Sequence, residues 1–123
     1  MKSEPISIII VESQPITRAA LGNVCSAEGI NVLANLAESQ RALQVASALD
    51  PDMILFSVNT PNLDDLKRIT VLRTELPNTR ILALVTGEFK GQENAALDHG
   101  AHRVLTKTAH RTEILNTIRA MAH

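Results

Sequence analysis

The sequence predicts a doubly wound, parallel α/β sheet of five strands in the order 2-1-3-4-5. Five short β-branched or aliphatic runs alternate with longer segments of helical period along the 123 residues, as in a parallel sheet covered by helices. The first and third runs are almost continuously apolar, as strands buried on both faces are. With right-handed crossovers, a chain of this length and pattern closes most simply in that strand order.

The first strand is expected over Ile6 to Val11, interrupted only by Ser7. Pro15 then stands at a first helical position, and Ile16, Ala19, Ala20, Val24 and Ala27 follow at helical spacing up to Gly29. Asn31 to Ala37 is the second strand. Ser39 is expected to cap a helix whose Ala42, Val45, Ala46 and Leu49 form an apolar stripe, and Asp50-Pro51-Asp52 stops it. Met53 to Val58 is the third strand, followed by the loop Asn59-Thr60-Pro61-Asn62, in which Pro61 shapes the turn. The next helix carries Leu66, Ile69, Leu72 and Leu76 and ends at Pro77; its acidic pair Asp64-Asp65 suits the positive end of the helix dipole. Arg80 to Val85 is the fourth strand. After Thr86-Gly87-Glu88, a weak helix over Gly91 to His99 has only Ala95, Ala96 and Leu97 as an apolar face, so it is expected to be mobile or displaced. Val104 and Leu105 mark a short fifth strand, and a last helix aligns Ile114, Leu115, Ile118 and Met121.

Composition narrows the function classes. At this size roughly 70% of the unfolded chain's surface can be buried, so an apolar core forms without staples. Cys25 is the only cysteine, which excludes an intrachain disulfide, fits a reducing, cytoplasmic setting and reads as a core residue. Twelve Lys and Arg against thirteen Asp and Glu, with no basic run, offer no electrostatic footprint for nucleic acid or anionic lipid. With two Phe and no Tyr or Trp there is no stacking platform for single strands. The N-terminal run is too short for a membrane span, and no signal peptide is expected. His99, His102, His110 and His123 are scattered and form no metal set.

In such a sheet ligand chemistry belongs at the carboxyl ends of the strands. Those ends carry Glu12 and Ser13 after the first strand, Ser57 in the third, Thr86 after the fourth and Lys107 after the fifth. The segments IIIVESQPITRAAL, PDMILFSVNTPNLDDL, RILALVTGE and GAHRVLTKTA resemble the receiver domain of two-component response regulators, closest in wording to the NarL/FixJ (LuxR-type) transcription regulators. The resemblance covers the whole chain and implies a flavodoxin-like (βα)5 fold. It also implies a pocket in which two acids after the first strand hold Mg²⁺, an Asp ending the third is phosphorylated, and a hydroxyl and a Lys bind the phosphoryl oxygens.

Thr86 and Lys107 match that pattern, whereas Ser13 replaces one acid of the pair and Ser57 stands at the phosphoacceptor position. A hydroxyl has no anionic oxygen for the transfer, and a serine ester lacks the reactivity of an acyl phosphate. Val104 occupies the switch position where an aromatic ring is usual in the family. The resemblance therefore implies an atypical receiver, a pseudo-receiver without Asp phosphorylation, with no Mg²⁺ or other cofactor expected. Asn59 matches a position where the family uses only a backbone carbonyl.

From the residues alone, Ser57 is a small buried polar group bonded to nearby backbone, and Ser13 caps the first helix. Glu12 and Lys107 either form a partly exposed ion pair or are separately solvated. Thr86 either bonds the loop after the third strand or simply ends its own. The expected function is signal transduction through a protein partner or homodimer, without enzymatic activity and without membrane contact. DNA is expected to be reached only through a possible C-terminal helix-turn-helix domain. The competing reading is a small-ligand sensor using the crevice of Glu12, Ser57, Thr86 and Lys107. A third, an enzyme with Ser57 or Ser13 as nucleophile and Lys107 as base, lacks a nucleophile elbow and needs a neutral lysine.

Overall fold

The computed structural model describes residues 5–59, 63–88 and 90–122. Thr60, Pro61 and Asn62 of the expected loop, and His123, lie outside the described residues. Strands β1 (Ser7–Val11), β2 (Asn31–Leu36), β3 (Met53–Val58), β4 (Arg80–Val85) and β5 (Arg103–Thr106) form one parallel sheet in the order β2-β1-β3-β4-β5. Helices α1 (Pro15–Ala27), α2 (Ala42–Leu49), α3 (Leu63–Glu75), α4 (Gln92–Asp98) and α5 (Arg111–Met121) complete the expected α/β fold.

Strand alternation divides the core into two layers. Ile8 and Ile10 of β1, Met53 and Leu55 of β3, and Leu82 and Leu84 of β4 pack with Leu21 and Cys25 of α1 and Ile114, Leu115, Ile118 and Met121 of α5. Ile9, Val11, Ile54, Phe56, Ile81 and Ala83 face the other way, against Ala42 and Ala46 of α2, Leu66, Ile69 and Leu72 of α3 and Ala96 of α4. Every residue of β3 is buried, which accounts for its apolar run. Burial pushes the Cys25 thiol up to about 11, so it packs as a small apolar group.

The same alternation places the strand-end residues. Glu12, Ser57 and Lys107 continue the rows of Ile10, Leu55 and Leu105, so all three fall on the layer of α1 and α5. Val104 has the opposite parity and packs half-buried on the α4 layer.

Local features correct several expectations. The second helix opens with a 3₁₀ turn at Ser39–Arg41, and Ser39 does not cap it. Its hydroxyl instead donates to Asp65 Oδ1 of α3 at 3.1 Å, because the turn carries it away from the helix end. Ser13 does not cap α1 either: the N-cap is Gln14, without a side-chain bond, and Pro15 already removes one of the N–H groups a cap would satisfy. Asp50 ends α2 in a left-handed conformation (φ 51°), with its N–H on Ala46 O at 2.8 Å. Helix α4 is seven residues long and buries only Ala96.

Candidate functional site

The carboxyl ends of β1, β3 and β5 bring Glu12, Ser13, Ser57, Asn59 and Lys107 together. Glu12 follows the last residue of β1, where its N–H bonds Leu36 O at 2.9 Å, and it is fully buried rather than partly exposed as expected. Lys107 is fixed in the same way after β5, its N–H donating to Val85 O at 2.7 Å. These anchors bring Lys107 Nζ to 3.0 Å from Glu12 Oε1. The contact is an ion pair by distance, but its angle is not that of a hydrogen bond. The ammonium directs a proton to Asn59 Oδ1 instead.

Further bonds hold both ends of this pair. The Gln14 N–H donates to Glu12 Oε2 at 3.0 Å, and Arg18 reaches back from α1 to Glu12 O at 2.9 Å. Asn59 Nδ2 donates to Ser13 Oγ at 2.5 Å, so one amide bridges Ser13 and Lys107. Burial pushes the Glu12 carboxyl up, but the Gln14 N–H, the Lys107 ammonium and the nearby Ser57 hydroxyl outweigh it and hold the group below its ordinary value.

Ser57 is buried, 3% exposed, and its Oγ has no hydrogen-bond partner among the described residues. The expected bond to nearby backbone is not formed, because in mid-sheet those groups are already engaged in the β1 and β4 ladders. On the α2 and α3 side, a cleft of about 240 Å³ is lined by Val11, Ser13, Ser39, Ser57, Asn59 and Asp65, among others.

Thr86 stands apart from this cluster. Its hydroxyl accepts from Gln92 Nε2 of α4 at 3.0 Å, while Gln92 Oε1 accepts the Gly87 N–H at 2.8 Å. Of the loop after β3, Asn59 is not among its partners, and Thr60 to Asn62 lie outside the described residues. Sequence reasoning placed Asn59 but gave its side chain no role, and it missed Gln92. An amide two positions beyond a strand end was the available signal for Asn59, whereas Gln92, on a helix of poor apolar character, offered none.

Glu12 supplies the one carboxylate of the cluster, and Lys107 neutralises it. Among the described residues no three His, Cys, Asp or Glu gather into a metal site.

With this strand order, an acid after β1, a threonine after β4 and a lysine after β5 are shared with signalling domains of the receiver class, whereas the hydroxyl near the end of β3 departs from them. The response regulator receiver domain model matches residues 8–119, and the chain belongs to that family. It is 26% identical over 120 residues to the nitrate/nitrite response regulator protein NarL of Escherichia coli K12, covering 97% of this chain and 56% of that protein. It is 27% identical over 114 residues to the transcriptional regulatory protein LnrK of Bacillus subtilis, covering 92% of this chain and 52% of that protein. The chain thus spans about half the length of these relatives. Its fold matches the receiver domain of the putative response regulator NarL from Mycobacterium tuberculosis, with a TM-score of 0.87 at 24% identity over 97% of both chains. No helix among the described residues is long and apolar enough to cross a membrane.

Proposed function

We propose that this domain is an atypical receiver that acts without Asp phosphorylation, by docking a protein partner or by forming a homodimer. The observation that carries this reading is the pairing of Lys107 with the Glu12 carboxylate, with Asn59 Oδ1 accepting a hydrogen bond from the same ammonium. An ammonium engaged by a buried carboxylate is a poor receptor for a phosphoryl group, and a carboxylate engaged by an ammonium is a poor ligand for Mg²⁺. Ser57 adds no anionic oxygen for either purpose. The pocket holds one charge arrangement by itself, which suits a domain whose surface is read in a single state. With Val104 at the switch position, no large ring is available there to change sides. A role in transcription would be exercised through parts of a longer protein outside the matched residues.

Incubation with acetyl phosphate and Mg²⁺, followed by intact-mass spectrometry and sedimentation equilibrium, tests the reading. The expected result is an unchanged mass and an association state that does not respond to acetyl phosphate. Gain of one phosphoryl group, lost in Ser57→Ala, contradicts it.

A second reading, a small-ligand sensor, draws on the cleft that Ser57 helps to line. At about 240 Å³ that cleft is below the roughly 300–1,000 Å³ of ordinary ligand pockets. The interaction reading is therefore preferred.

A further inference from the structure

The opposite end of the sheet carries a basic pocket that the receiver chemistry does not use. Arg80 opens β4 and Arg103 opens β5; both have the parity of Leu82 and Leu105, which puts them on the layer of α5. With His102, Ala120 and Met121 they line a cavity of about 200 Å³. Neither guanidinium has a carboxylate within ion-pair distance or a hydrogen bond to a helix carbonyl among the described residues. The nearest acidic residue along the sheet edge, Asp52, accepts the Arg80 N–H through its backbone carbonyl and turns a carboxylate oxygen to the Ser7 N–H at 2.9 Å.

The backbone fixes how His102 takes part. The Ile81 N–H donates to His102 Nδ1 at 3.0 Å, and the His102 N–H returns a bond to Ile81 O at 2.9 Å. A ring that accepts at Nδ1 and is neutral carries its proton at Nε2. That nitrogen has no partner among the described residues, so the ring offers a third donor group beside the two guanidiniums. Burial first, then the positive charge of Arg73 on α3 and of Arg80, pushes the His102 pKa down, as expected where basic groups gather without acids.

The geometry points to a binding site for a small oxyanion, inorganic phosphate or a phosphomonoester, held by Arg80, Arg103 and the Nε2–H of His102. Planar guanidiniums match such oxygens in a bidentate way, and both arginines are exposed at the rim of an open depression. The site lies at the amino ends of β4 and β5, away from the Glu12–Lys107 pair, and does not depend on the state of that pair.

The test is an NMR titration of the domain with sodium phosphate and separately with methyl phosphate, against sodium chloride at matched ionic strength. Saturable shifts of the Ile81, His102 and Arg103 amides are expected. The His102 pKa should rise on binding, because the anion offsets Arg73 and Arg80, while among the described residues α5 contributes the uncharged Ala120 and Met121 to this face. Arg103→Gln should weaken binding about tenfold, and Arg80→Gln with Arg103→Gln should abolish it while the thermal unfolding curve stays in place. If only the ester binds, the ligand is an organic phosphate; if both bind alike, it is the bare anion. Shifts that chloride reproduces, that survive in the double variant, or that appear only with duplex DNA overturn the proposal.

Discussion

Glu12 has no solvent exposure and is held by one ammonium and one backbone N–H. Replacing it by Gln leaves the Lys107 charge without its counter-ion in a largely enclosed place. Lys107 keeps 16% of its side-chain exposure, so water takes up part of the loss, and Glu12→Gln should cost about 2 kcal/mol in urea unfolding. The pH dependence has a definite sign. The folded state holds the Glu12 carboxyl below its ordinary 4.5, so the unfolded chain binds the proton first as acid is added. The stabilisation is therefore complete above about pH 4.5 and is lost as the pH falls through the lower folded-state value. Urea midpoints measured between pH 3 and 6 should fall less steeply in Glu12→Gln than in the parent. The types of Glu12 and Lys107 and their strand-end positions were legible in the sequence. The bridge made by Asn59 was not, because a free amide rotamer is chosen only by what surrounds it.

Among the elements, the strands and their order were readable, since each buried strand is an apolar run of the right length between turn residues. Caps were less so: Ser13 and Ser39 both sit before helices, yet each hydroxyl found a partner across the fold, Asn59 and Asp65. The α3–α4 junction depends on Gly100, whose φ of +122° leaves room for Arg73; a Cβ there would lie 2.9 Å from Arg73 Cβ. Arg73 in turn donates to Gly100 O at 2.7 Å and Thr70 to His99 O at 2.9 Å. Gly100→Ala combines a disfavoured conformation with that clash and should lower stability by about 2 kcal/mol, seen as a lower melting temperature. Helix α4 buries one alanine, and the Gln92 bonds to Thr86 and Gly87 are its link to the end of β4. Its amides should exchange faster than those of α2, and faster still in Gln92→Ala. Protection of residues 92–98 equal to that of α2 contradicts this.

The molecule as a whole is a two-sided sheet whose carboxyl edge keeps the receiver layout with the charges already paired. Fold and layout could be read from the sequence because alternation and turn chemistry are local. The closed pairing emerged only from the three-dimensional approach of β1, β3 and β5, where one carboxylate and one ammonium are left with each other. On the proposed reading, that closure separates an interaction module from a phosphorylated switch. The most direct test is an amide NMR titration with Mg²⁺ and then beryllofluoride, which mimics an acyl phosphate on a carboxylate. No saturable shifts at Glu12, Ser57, Thr86 or Lys107 are expected with either reagent. Saturable shifts there that spread into α4 and α5 contradict the account, for they require Lys107 to leave Glu12 and the pocket to bind the anion.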